Sequence, residues 1–129
     1  MILVDTSVWV DFLKHQPFFF PTLQTLIETQ AVVAASCVFG ELLQGSKNAR
    51  EQKVIVGYWE NLPKREEAGI WIEAGLLSST HKWFSQGVGL IDAFLICFAR
   101  TYQLQIWTLD KKLLSVLKPT EVFTPTPTG

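Results

Sequence analysis

Ile2-Leu3-Val4-Asp5-Thr6-Ser7-Val8-Trp9-Val10-Asp11-Phe12-Leu13 is the stretch that decides the fold class. Its first three residues form an unbroken apolar run, the pattern of a central parallel strand covered on both faces. The period then becomes helical, with Val8, Trp9, Phe12 and Leu13 on one arc of a helix expected over residues 7–14, capped by Thr6 or Ser7. Asp5 therefore ends a strand and opens a helix.

The remaining chain repeats this alternation. Helices are expected at 22–30, from a Ser36 cap to about Gly45, at 49–62, 66–84 and 90–102, and a short one at 111–117; Pro63 separates the third and fourth. Buried strands are expected at 31–35 and 105–109, with an edge strand at 121–123. Strands and helices joined by short connections predict a three-layer α/β/α domain with a mainly parallel sheet. One domain over residues 1–123, with a loose tail at 124–129 carrying Pro125 and Pro127, accounts for the whole sequence. Phe18–Phe20, bracketed by Pro17 and Pro21, are expected in the core or at a dimer contact.

The 129 residues are 48% hydrophobic and 18% charged, which excludes intrinsic disorder and suggests apolar surface covered by a partner. With a net charge of −1, nucleic-acid binding has to come from local clusters: Lys47/Arg50/Lys53, Lys64/Arg65 or Lys111/Lys112. Cys37 and Cys97 fall in apolar helical surroundings and read as buried thiols. Neither the two histidines nor any glycine-rich loop has the spacing of a histidine metal site, a Ser-His-Asp triad or a nucleotide fold. The three apolar residues before Asp5 are too few for a signal peptide or a membrane span, so a cytoplasmic protein without membrane attachment is expected.

Four of the twelve acids stand among apolar residues: Asp5, Glu41, Asp92 and Asp110. A carboxylate withdrawn from water costs several kcal/mol unless it is paired or bound to metal. Asp92 shares its helical face with Leu95, Ile96 and Ala99, and no cation follows until Arg100; complementing the helix dipole is its alternative role. Asp5 and Asp110 serve equally well as N-caps, and Lys111 and Lys112 lie close enough to pair with Asp110. By spacing alone Glu41 is a solvated residue, because Val38, Phe39, Leu42 and Leu43 define the apolar arc of its helix. Asp11 lies off its own arc with Lys14 and is expected to be exposed, as are Glu51, Glu60, Glu66, Glu67 and Glu73. An oxygen-only cluster favours Mg²⁺ or Mn²⁺.

The order of DTSVWVDFL at Asp5–Leu13, ELLQG at Glu41–Gly45, GLIDA at Gly89–Ala93 and TLD at Thr108–Asp110 resembles the PIN-domain ribonucleases. Among them it looks most like the VapC-type toxins of bacterial toxin–antitoxin pairs. The resemblance implies a PIN-like domain with Asp5, Glu41, Asp92 and Asp110 as its catalytic acids and Thr6, Ser7 and Thr108 as polar supports. It restores Glu41 to the site. It also implies that Asp5, Asp92 and Asp110 hold Mg²⁺ or Mn²⁺, with Glu41 direct or through water, and that an activated water hydrolyses RNA to 5′-phosphate and 3′-hydroxyl ends. A cognate antitoxin and a homodimer are the implied protein partners. One departure is the bulky AFLICFA after Asp92, where the family commonly has small residues. The alternatives are a receiver-like Mg²⁺-binding signalling domain, against which the lack of an acid pair after the first strand counts, and a catalytically silent RNA-binding PIN domain.

Overall fold

The computed structural model describes residues 1–15 and 20–125. Three parallel strands, β1 (Ile2–Val4), β2 (Val32–Val33) and β3 (Gln105–Trp107), form a sheet in the order β2-β1-β3. Among the described residues seven α-helices accompany it: α1 (Thr6–Leu13), α2 (Phe20–Glu28), α3 (Ser36–Gln44), α4 (Ala49–Asn61), α5 (Ile70–His81), α6 (Leu90–Tyr102) and α7 (Lys111–Val116). The sheet and its helices make the expected three-layer α/β/α arrangement. β1 is the central strand, and Leu3 and Val4 are sealed from solvent, as their continuous apolar pattern requires.

The core is aromatic and dense. Trp9, Phe94, Phe98 and Trp107 are fully buried, with Trp9 edge-on to Phe12 and Phe39 at centroid distances of 5.6 and 5.3 Å. Such packing adds about 0.5–1.5 kcal/mol per aromatic pair beyond simple burial. The bulky residues after Asp92 belong to this core: α6 is buried continuously from Ala93 to Ala99, and Phe94 stacks on Trp71 at 4.2 Å.

Several boundaries differ from the sequence expectation. The first helix begins at Thr6, and its cap is Asp5 rather than Thr6 or Ser7. The second strand shrinks to two residues, beyond which Ala34 makes a single parallel bridge to Lys64. Ser36 does not cap α3; its backbone N–H and hydroxyl both donate to Glu67, 31 residues away. Glu67 is accordingly a half-buried loop residue, not a helical surface acid. The expected helix over 66–84 starts only at Ile70, after Gly69 at φ 83°, and stops at His81, where Lys82 turns left-handed and a 3₁₀ turn covers Trp83–Gln86. Strand β3 ends two residues early. The edge strand at 121–123 is reduced to one bridge, Ile106 to Val122, beside a 3₁₀ turn at Pro119–Glu121 that Arg100 holds through Glu121 at 2.7 Å.

Phe20 stacks between Phe12 and His15, a core-edge position, whereas Phe18, Phe19 and the tail residues 126–129 lie outside the described residues. Both thiols are free; Cys97 is buried but Cys37 is only half-buried. No helix among the described residues is long and apolar enough to cross a membrane.

Candidate active site

In the order β2-β1-β3, the chain leaves β1 toward one sheet edge and β3 toward the other, where Val122 bridges Ile106. A crevice outside the carboxyl ends of β1 and β3 is where such sheets bind ligands. Asp5 is the first residue beyond β1 and Thr108 the first beyond β3, and the Asp5 N–H donates to the Trp107 carbonyl at 2.9 Å.

Asp5 is buried and fully engaged. Its Oδ1 accepts from the Thr6 N–H at 2.7 Å, while Oδ2 accepts from the hydroxyls of Ser7 at 3.0 Å and Thr108 at 2.7 Å. The two hydroxyls each do a second job across the crevice: Ser7 accepts from the Leu109 N–H at 3.1 Å and Thr108 from the Asp110 N–H at 3.0 Å. Asp110 then caps α7 through Oδ1, accepting from the N–H groups of Lys112 and Leu113 at 2.8 and 3.3 Å. Asp5 and Asp110 are both N-caps, and capping fixes each carboxylate close to a strand end, so the cap does not exclude a site role. Among the described residues no salt bridge joins Asp110 to Lys111 or Lys112.

Glu41 is exposed, as its helical spacing predicts, and the Thr6 hydroxyl donates to its Oε1 at 2.8 Å. Thr6 thus ties α3 to the turn that carries Asp5. Asp92 sits half-buried in the first turn of α6, and its carboxyl is pushed up to about 6, first by burial and then by the negative charges of Asp5, Asp110 and Glu41. Each of the other three acids, from distant sequence positions, acts on Asp92. Asp11, half-buried rather than exposed, is not among the charges that shift it.

The four acids offer only oxygen donors, the ligand chemistry of hard divalent cations. Among the described residues no three acids, histidines or cysteines are drawn together into a ready-made metal cage.

The PIN domain profile matches residues 2–118. The chain belongs to the PIN domain family. Three solved structures share the fold of this PIN domain. A toxin–antitoxin complex from Klebsiella pneumoniae has a chain with TM-score 0.70 at 18% identity, covering 98% of this chain and 99% of that one. VapBC2 from Rickettsia felis, bound to a promoter DNA fragment, gives TM-score 0.70 at 18% identity over 95% and 96% of the two chains. FitAcB from Neisseria gonorrhoeae gives 0.61 at 20% over 95% and 94%. No curated protein sequence matches the chain.

Sequence patterning missed Glu67, which holds the start of the helix bearing Glu41 from a stretch with no periodicity. It also placed Lys64 and Arg65 among candidate RNA contacts. Lys64 Nζ closes the end of α4, donating to the Trp59 and Leu62 carbonyls at 2.5 and 3.0 Å, and Arg65 donates to the Lys64 carbonyl. Lys47, Arg50, Lys53, Lys64, Lys111 and Lys112 are exposed and Arg65 is half-buried.

Thr108 is the hinge of the polar network. Replacing it by the isosteric valine removes a buried hydroxyl that serves two loops, and Thr108→Val is expected to cost about 1–3 kcal/mol. The shift of the urea midpoint relative to the wild type measures this directly.

Proposed function

We propose that this PIN domain is a metal-dependent endoribonuclease, the toxin of a VapC-type toxin–antitoxin pair. Asp5, Glu41, Asp92 and Asp110 are its catalytic acids. The observation that carries the reading is the network that fixes the Asp5 and Asp110 carboxylates beside the ends of β1 and β3, beside which Asp92 is raised by burial and then by the charges of Asp5, Asp110 and Glu41. The toxin–antitoxin origin of the structural neighbours supports the biological setting. With the family established, the receiver-like alternative falls.

Asp5, Asp92 and Asp110, with Glu41 directly or through water, would hold Mg²⁺ or Mn²⁺, which supplies activation of a water and neutralises charge on the phosphate. The chain's own residues supply position. Ser7 and Thr108 keep the Asp5 carboxylate in one orientation, the α7 cap fixes Asp110, and Thr6 steers Glu41 toward the same crevice. Lys111 and Lys112, directly after Asp110, offer positive charge to the RNA backbone, which positions a strand without reading its sequence. A cognate antitoxin restrains the enzyme in the cytoplasm, and the active form is a homodimer built from single domains spanning 1–123.

The test is RNA cleavage with Mg²⁺, with excess EDTA, and by Asp5→Asn. Mg²⁺-dependent cleavage to 5′-phosphate and 3′-hydroxyl ends is expected, falling at least 100-fold in EDTA or on substitution. Cleavage that survives both changes would sink the mechanism.

A further inference from the structure

The strand order β2-β1-β3 lays the acids out across the sheet: Glu41 follows β2 on α3, Asp5 ends β1 and Asp110 follows β3. A strand of substrate crossing all three leaves the crevice toward Lys111 and Lys112 on one side and past Glu41 on the other. On the Glu41 side lies a groove of about 680 Å³ between α1, the end of α3 and α4, and Glu41 itself is part of its wall. Phe20 and Tyr58 contribute half-buried rings to the lining, and Val54 is 47% exposed there. The rest is cationic. Lys14, Lys47 and Arg50 line the same groove, and among the described residues none of the three is in a salt bridge. Glu51, the other acid in the lining, is already engaged, accepting from the Lys47 N–H at 2.8 Å.

We propose that this groove is a subsite for single-stranded RNA, taking the nucleotides next to the scissile phosphate, with their backbone on Lys14, Lys47 and Arg50 and a base against Phe20, Tyr58 and Val54. The inference rests on the nuclease reading above and adds where the strand goes when it leaves the acids. Unpaired cations beside aromatic rings are the two parts of a site for an unpaired strand: the charge follows the backbone, and every base has a face to lay on a ring. A duplex keeps its bases stacked inside and would leave the apolar lining uncovered. A polypeptide satisfies the apolar lining but leaves the three cations unmatched unless it is also acidic, and nothing carries it on into the crevice. An RNA strand lying across the acids has to continue, and Glu41 stands on both surfaces. The groove also differs in kind from the Lys111 and Lys112 side. Contacts to phosphate alone position a strand, whereas a base held in a shaped groove makes cleavage depend on the nucleotide beside the cut.

The full-length wild type is compared with Lys14→Ala, Arg50→Ala, Val54→Glu and Lys53→Ala. Lys53 is the control, because it is exposed on α4 between Arg50 and Val54 yet lies outside the lining of the groove. Val54→Glu sets a negative charge in the lining at an exposed helical position that suits glutamate, so the chain still folds. Binding of a labelled single-stranded RNA of about 12 nucleotides is read by fluorescence anisotropy in EDTA from about 50 to 200 mM salt, and KM and kcat are measured separately in Mg²⁺. Lys14→Ala and Arg50→Ala should each raise Kd roughly fivefold and lower the salt slope by about 0.7. Val54→Glu should raise Kd about tenfold or more, and Lys53→Ala should match the wild type. KM should rise with Kd while kcat holds, the pattern of binding lost without loss of chemistry. Groove variants that bind RNA as the wild type does, leaving the groove to a polypeptide, or a Lys53→Ala chain weakened as much as the others, would overturn the proposal. Because binding is read without metal, RNA held in the groove but never cut defeats only the nuclease reading, and cleavage indifferent to the groove variants defeats only this one.

Discussion

Asp92→Asn is expected to abolish cleavage and at the same time to make the protein more stable at neutral pH. The carboxyl of Asp92 is raised from 3.8 to about 6 by burial and by the charges of Asp5, Asp110 and Glu41. An acid whose pKa is higher in the folded state binds its proton more tightly there than in the unfolded chain. Its ionised form therefore opposes folding, fully above pH 6, and the opposition fades as pH falls from 6 toward 3.8. A shift of this size corresponds to about 1.4 kcal/mol per pH unit, and because the group is only half-buried, a discounted figure of order 1–2 kcal/mol is appropriate. Asparagine keeps the shape and removes the charge. The variant should gain a few degrees in Tm at pH 7.5 and lose the wild type's rise in stability between pH 7 and pH 5. Mg²⁺ should stabilise the wild type strongly and the variant weakly, because the cation relieves the same repulsion. Thermal melts at pH 7.5 and 5, with and without Mg²⁺, decide the matter; a less stable variant with an unchanged pH slope contradicts the electrostatic account.

The opposition between stability and site chemistry also explains which acids were legible in the sequence. Asp92 stood out most, because it is a charge on an otherwise apolar helix, although its first-turn position also suits the helix dipole. Asp5 and Asp110 were ambiguous between cap and site, and the ambiguity was physical: both carboxylates cap helices and both act on Asp92. Glu41 was not legible from periodicity, since it is exposed, and what draws it to the crevice is a hydrogen bond from Thr6, 35 residues away. The family pattern supplied what helical spacing had no means to register. The fold shows the same division. Ile2–Val4 and the buried run of α6 follow from their own composition. The helix over 66–84 was drawn too long because apolar content continues through Gly69 and Lys82, where backbone conformation rather than hydrophobicity ends it. In α5 the apolar residues revealed a helix but not which side faces the protein, since both sides are apolar.

Asp5→Ala should also abolish cleavage, but with the opposite effect on stability. This carboxylate is the acceptor for one backbone N–H and two hydroxyls that tie the β1 turn to the segment after β3. Removing it takes away the α1 cap, worth about 1 kcal/mol, and leaves Ser7 and Thr108 without the partner that orients them. Both hydroxyls still accept from backbone groups, Leu109 N–H and Asp110 N–H, so part of the network survives. A net loss of about 2–4 kcal/mol is expected from hydrogen bonds to a charged, buried acceptor. Asp5→Asn should lose less, since its Oδ1 still caps and its amide can donate to hydroxyls that rotate to accept. The pairing of the two sites is the sharper test. At pH 7.5, urea unfolding should order the proteins Asp92→Asn above wild type, wild type above Asp5→Asn, and Asp5→Ala lowest, although the first, third and fourth should be equally inactive. If Asp5→Ala proves as stable as the wild type, the hydroxyl network does not hold the crevice, and the positioning roles assigned to Ser7 and Thr108 fail with it.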